Sequence, residues 1–288
     1  RAVVYQVYPR SFQDTDGDGV GDIPGITARL DHLDRLGVDV VWLSPVYRSP
    51  QDDNGYDISD YEDVDPLFGS LADLDELIAA LHGRGMRLVM DLVVNHTSDE
   101  HPWFAASRSR RDDPKRDWYI WRPARDVPGL EPGSPGTEPT WENDDVRRAV
   151  YAMMGRWLDR GVDGFRMDVI SLISKTHPLV DGVKRDGDLF GDGFSAVANG
   201  PRVHEFLHEM WRTVFAPRSR HILTVGETAN VTLAQAQRYT NLDAPELDMV
   251  FQFEHTGLDA GPGGKFDPRP VPFVALKKNL ARWQEGLA

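Results

Sequence analysis

Apolar residues recur along this chain at two spacings. Short runs are apolar or β-branched at nearly every position, as in parallel strands buried on both faces. Longer stretches place apolar residues three and four apart, as on one face of a helix. Residues 3–8 form a run of the first kind and end at Pro9. Ile26, Leu30, Leu33 and Leu36 then follow helical spacing up to Gly37, a residue suited to the turn that ends a helix. Residues 38–43 predict the second strand, and residues 87–94 the third. Between them Ser70 and Asp73 read as a capping box with Asp in place of Glu, opening a helix that runs to Gly83. Helical spacing resumes at Asp145 with Val146, Val150, Met153, Trp157 and Leu158, and stops at Gly161. The remaining strands are predicted at 164–169, 221–227 and 249–253, and the remaining helices at 203–215, 233–239 and 273–287.

Strand and helix therefore alternate six times, which predicts a parallel sheet with helices outside it. Polar residues gather at the predicted strand C-termini: Asp91, Asn95, His96, Arg166, Asp168 and Glu227. Barrel enzymes keep their active sites at that end. No glycine-rich phosphate fingerprint follows the first strand, which disfavours a dinucleotide fold. The expected class is α/β, a TIM (β/α)8-type barrel with about six of its eight βα units present. Residues 97–144 break the alternation with a polar stretch punctuated by Pro114, Pro123, Pro128, Pro132, Pro135 and Pro139. The expected division is a first barrel part (1–96), a shortened insertion (97–144) and the continued, incomplete barrel (145–288).

Composition narrows the function. The net charge of −14 argues against nucleic acid or an anionic membrane as partner and suits cation binding. With no cysteine there is no disulfide, thiolate metal site or cysteine nucleophile. No apolar run approaches a membrane span and no signal peptide is visible, so the cytoplasm is the expected location.

Two stretches carry candidate chemistry. Arg166 and Asp168 stand two apart on a strand, so their side chains share a face. An arginine there holds the carboxylate ionised, which suits a nucleophile and equally a strand-end ion pair. Residues 14–22 place Asp14, Asp16, Asp18 and Asp22 at positions 1, 3, 5 and 9 of a loop, with Gly19 at position 6 and the Val20 carbonyl at position 7. That alternation matches an oxygen-ligand loop for calcium or magnesium, the other reading being a solvated acidic turn. Gly25 stands where an EF-hand requires Glu, so the loop is of another kind.

The stretches 5–12 (Tyr-Gln-Val-Tyr-Pro-Arg-Ser-Phe), 91–96 (Asp-Leu-Val-Val-Asn-His), 164–168 (Gly-Phe-Arg-Met-Asp) and 225–227 (Val-Gly-Glu) resemble, in order, motifs of the α-amylase superfamily of glycoside hydrolases. Within it the chain is most similar to the oligo-1,6-glucosidase and α-glucosidase branch. The resemblance implies that Asp168 is the nucleophile and Glu227 the general acid/base of a retaining mechanism. It implies that Asp91 and His96 hold the sugar ring in the first subsite. Tyr56 and Asp57 would lie beneath and beside the ring, with Arg166 near the nucleophile. Val169, directly after the nucleophile, goes in this branch with α-1,6 linkages and a smaller residue with α-1,4; it also fits plain strand packing. The branch binds a structural calcium through residues matching Asp14, Asp16, Asp18, the Val20 carbonyl and Asp22. An oligosaccharide is the implied partner. Glucosyl transfer of the trehalose or sucrose type, or carbohydrate binding without turnover, are the alternatives.

The chain departs from the family in two places. The insertion is short, with Glu138-Pro139-Thr140 running straight into Trp141 where the family has a longer small domain. Nothing after Phe253 matches the family's Asn-His-Asp motif, which carries its third carboxylate, or its eighth strand and C-terminal β-domain. Without that carboxylate the oxocarbenium-like state is less stabilised, and this stretch alone is expected to be a poor enzyme.

Overall fold

The computed structural model describes residues 2–122, 136–184, 191–262 and 264–287. Prolines 123, 128, 132 and 135 of the insertion lie outside the described residues. The chain forms two compact units, Arg1–Asp168 with Pro217–Leu223, and Val169–Ala216 with Thr224–Ala288.

The first unit is built on four parallel strands, β1 (Val4–Val7), β2 (Val40–Leu43), β3 (Arg87–Val93) and β4 (Gly164–Asp168). They pair in chain order, with Val4 opposite Val40, Val40 opposite Arg87 and Val89 opposite Gly164. The central strands are buried on both faces, Arg87 apart, in keeping with their mostly apolar sequences. Helices α1 (Ile23–Ala28) and α2 (Leu30–Arg35) replace the single helix expected over residues 26–36. The first starts early because the Asp22 carboxylate accepts from Gly25 N–H and caps it. The predicted stripe is otherwise correct, with Ile26, Leu30 and Leu33 fully buried and Leu36 exposed. Helix α3 (Leu71–Gly83) carries the Ser70/Asp73 capping box. Helix α4 (Pro102–Ser109) lies within residues 97–144, and α5 (Asp144–Arg160) ends on Gly161 at φ 119°. A hairpin pairing Tyr47–Arg48 with Asp60–Val64 was not foreseen from the pattern.

At the N-terminal end of β4 the buried Asp163 accepts from His82 Nε2 at 2.7 Å, Leu88 N–H at 3.0 Å and Arg220 Nη1 at 2.7 Å. These bonds tie α3, β3 and β4 together at the end opposite the strand C-termini. That fixes the frame from which the polar strand ends project.

The second unit contains β5 (Leu223–Glu227) and β6 (Met249–Phe251), parallel, with Glu227 opposite Phe251. The predicted helices appear as α6 (Val203–Met210), α7 (Leu233–Tyr239) and α8 (Phe273–Gly286). The expected helix to residue 215 continues past α6 as one π-helical turn, Trp211–Phe215. No described helix is long and apolar enough to cross a membrane.

Candidate active site

The first unit gathers most of the expected residues at the C-terminal ends of β2, β3 and β4. Asp91 on β3 stands directly opposite Arg166 on β4. Arg166 Nη1 donates to Asp91 Oδ1 at 2.6 Å and to Asp168 Oδ1 at 2.8 Å. One guanidinium thus bridges two carboxylates, and all three side chains are buried. Trp42 Nε1, from β2, donates to Asp91 Oδ2 at 2.8 Å. The Tyr56 hydroxyl lies 3.4 Å from the same oxygen and 3.5 Å from Arg166 Nη1. The Arg166 guanidinium also sits over the rings of Trp42 and Tyr56, at 5.2 and 5.6 Å from their centroids. His96 Nε2 is 4.0 Å from Asp168 Oδ2.

The electrostatics follow from burial. Asp91 has no solvent exposure, and this pushes its carboxyl up to about 7, against the lowering pull of Arg166 and Trp42. Tyr47 and Tyr61, whose hydroxyls donate to the backbone carbonyls of Asp91 and Val93, are raised far above the ordinary phenol range by burial. They stay neutral donors and pin β3 in place. Arg166 Nη1, 2.8 Å from Asp168 Oδ1, supplies an opposite charge that offsets part of the cost of burying this carboxylate.

Asp57 lies in the loop that presents Tyr56. Its carboxylate accepts from Ser49 Oγ at 2.7 Å, Asp52 N–H at 2.8 Å and Asp53 N–H at 3.1 Å. Gln51, Asn54 and Gly55 turn this loop through left-handed backbone, and Asp57 holds the turn closed. In this structure Asp57 shapes the support of Tyr56.

In the second unit Glu227 ends β5. Val169, the residue after Asp168, points its N–H at Glu227 Oε2 at 3.5 Å. Val169 does so from φ 36° and ψ 39°, a left-handed conformation that a β-branched residue rarely adopts. Before Glu227, a Cβ on Gly226 would lie 2.5 Å from Leu247 Cδ1 and 3.0 Å from Ile170 Cγ2. Glycine lets this packing close against the strand end.

The acidic loop brings Asp14, Asp16 and Asp18 together, each offering an oxygen within 4.8 Å of the others. Gly17 and Gly19, at φ 85° and 91°, supply its two left-handed turns, and their N–H groups donate to the Asp14 carboxylate, holding it below the usual range. Val20 donates its N–H to Asp18 Oδ1. Asp22 stands apart from the cluster: beside capping α1, it accepts from Thr15 N–H and Oγ1. The three clustered carboxylates are hard oxygen donors of the kind calcium takes.

A parallel βα repeat with an arginine-bridged carboxylate pair at its strand ends is the arrangement of the TIM-barrel class, which places its chemistry at that end. The sequence matches the α-amylase catalytic-domain family over residues 6–136 and 134–288, and the chain belongs to that family. It is 53% identical to the oligo-1,6-glucosidase of Parageobacillus thermoglucosidasius over 312 aligned residues, covering 99% of this chain and 55% of that enzyme. Its structure superposes on trehalose-6-phosphate hydrolase of Bacillus licheniformis with TM-score 0.89 at 44% identity, and on isomaltulose synthase of Klebsiella sp. LX3 with TM-score 0.90 at 33% identity. These cover 99% and 100% of this chain, and 55% of each of those chains. The fold class expected from the sequence holds: a TIM-type barrel with about six of its eight βα units. The chain spans about 55% of the length of these relatives. The alignment occupies 312 positions against a chain of 288, and the two family matches overlap at residues 134–136, within the stretch 97–144.

Proposed function

We propose that the chain is the larger catalytic part of a retaining α-glucosidase acting on short isomalto- and malto-oligosaccharides, with α-1,6 linkages preferred. The observation that supports it best is the buried bridge from Arg166 to both Asp91 and Asp168 at adjacent strand ends. In this reading Asp168 Oδ attacks the anomeric carbon while the Glu227 carboxyl gives its proton to the departing glycosidic oxygen. The sugar is left esterified to Asp168. Glu227, now a carboxylate, takes a proton from water; that water attacks the same carbon, and the ester bond breaks back to the Asp168 carboxylate. Asp91, His96 and Tyr56 hold the ring, and Val169 borders the next subsite. The loop of Asp14, Asp16 and Asp18 would hold a structural calcium ion with the Val20 carbonyl, cross-linking the turn after β1. The expected contribution of Asp22 would come through its hold on Thr15.

Hydrolysis of nitrophenyl α-glucoside, isomaltose and maltose tests this reading. Turnover lost by about 10³-fold or more in Asp168→Asn supports it, and turnover untouched by that change contradicts it. The similarity to isomaltulose synthase supports glucosyl transfer as a second reading. The same covalent ester can pass its sugar to another sugar, and product analysis with sucrose separates the two.

A further inference from the structure

Asp91 and Asp168 are buried carboxylates served by the same Arg166 Nη1. A buried charge is tolerated when its remaining oxygens find donors. The second oxygen of Asp91 finds a neutral one, the indole N–H of Trp42 at 2.8 Å. The Trp42 ring also lies against the Arg166 guanidinium, 5.2 Å from its centroid. The register explains the contact. Trp42 on β2 stands opposite Val89 on β3, two residues before Asp91 and on the same face. One side chain thus touches both members of the Asp91–Arg166 pair.

We propose that Trp42 is a positioning residue for the glycosidase reaction, whose indole N–H favours the ionised form of Asp91 and so keeps Arg166 shared between Asp91 and Asp168. This rests on the α-glucosidase reading. While Asp91 is charged, Arg166 divides its attraction and leaves Asp168 with enough negative charge to attack carbon. When Asp91 gains a proton, Arg166 pairs with Asp168 alone and the nucleophile weakens. Arg166 and Asp168 from β4 and the Tyr56 hydroxyl from the loop face the Asp91 carboxyl, and the Tyr47 hydroxyl meets its backbone carbonyl. His96 lies on the Asp168 side, at 4.0 Å. Of the named neighbours, Arg166 and Trp42 favour the charged form of Asp91, and Asp168 opposes it.

Two NMR titrations on the full chain test this. The Trp42 indole 15N–1H resonance, assigned from its contacts with Asp91 and Arg166, is followed against pH beside the Asp91 13Cγ resonance, assigned with Asp91→Asn. Both are expected to move with one midpoint. Trp42→Phe, which keeps a ring under Arg166 and removes the donor, is expected to raise the Asp91 midpoint by about one pH unit. The acid limb of kcat/KM should move by the same amount, with kcat falling more than KM rises. An indole resonance that stays flat from about pH 5 to about pH 9, or an unchanged Asp91 midpoint in Trp42→Phe, overturns the proposal. The indole titration needs only the parent chain and decides the matter even if the variant does not fold. Hydrolysis untouched by Asp168→Asn would count against the α-glucosidase reading, while the resonances would still decide the link from Trp42 to Asp91.

Discussion

Asp91 is expected to cost this protein stability at neutral pH, and Asp91→Asn reveals the cost. The carboxyl is fully buried, and burial raises it from 3.8 to about 7. Between those values the unfolded chain has released the proton while the folded chain still holds it. The folded state binds more protons there, so stability falls as pH rises through the window. One group gives a slope of about 1.4 kcal/mol per pH unit, and about three units bring the loss to roughly 4 kcal/mol. The amide of Asn does not titrate. Its NH2 must face a donor, Arg166 Nη1 or Trp42 Nε1, at a cost of about 1–3 kcal/mol at every pH. The variant is therefore expected to be less stable than the parent near pH 4 and to overtake it between about pH 4.5 and about pH 6. Urea unfolding at three pH values across that range, followed by circular dichroism, measures the crossing. A stability difference between the two proteins that does not change with pH would refute the reasoning.

Other changes should separate the parts of the site. Gly226→Ala drives a methyl to 2.5 Å from Leu247 Cδ1 and is expected to destabilise by about 1–3 kcal/mol in urea, with hydrolysis falling as Glu227 shifts. Asp57→Ala removes the acceptor for Ser49, Asp52 and Asp53; KM should rise roughly 3- to 10-fold with kcat less affected, because the loop under Tyr56 loosens. Calcium at about 100 times its Kd should stabilise by about 2.7 kcal/mol, or about 4–5 °C in Tm by calorimetry. Asp16→Ala should abolish that gain, and an equal gain in the variant would remove the ion from this loop.

The repeat was legible because parallel strands buried on both faces leave mostly apolar runs, as at 87–94, where only Arg87 and Asp91 are charged. The Arg166–Asp168 contact was legible because a strand places residues two apart on one side. Trp42 was harder to see. Its donor role depends on Asp91, 49 residues away, and only the β2–β3 register brings them together. Asp57 and Asp22 carry a related lesson. Short carboxylates in loops serve nearby backbone N–H groups first, and a motif cannot show which oxygens those groups occupy. The left-handed Val169 contradicts local propensity, and such strain becomes visible only where surrounding packing imposes it.

The central claim is that Asp168 forms a glycosyl ester, and trapping that ester tests it most directly. The chain is treated with 5-fluoro-α-glucosyl fluoride, whose slow turnover lets the intermediate accumulate, and is then digested and read by mass spectrometry. One fluoroglucosyl group is expected on the peptide carrying Asp168, and none in Asp168→Asn. A label on another carboxylate, or the same label in Asp168→Asn, would contradict the account.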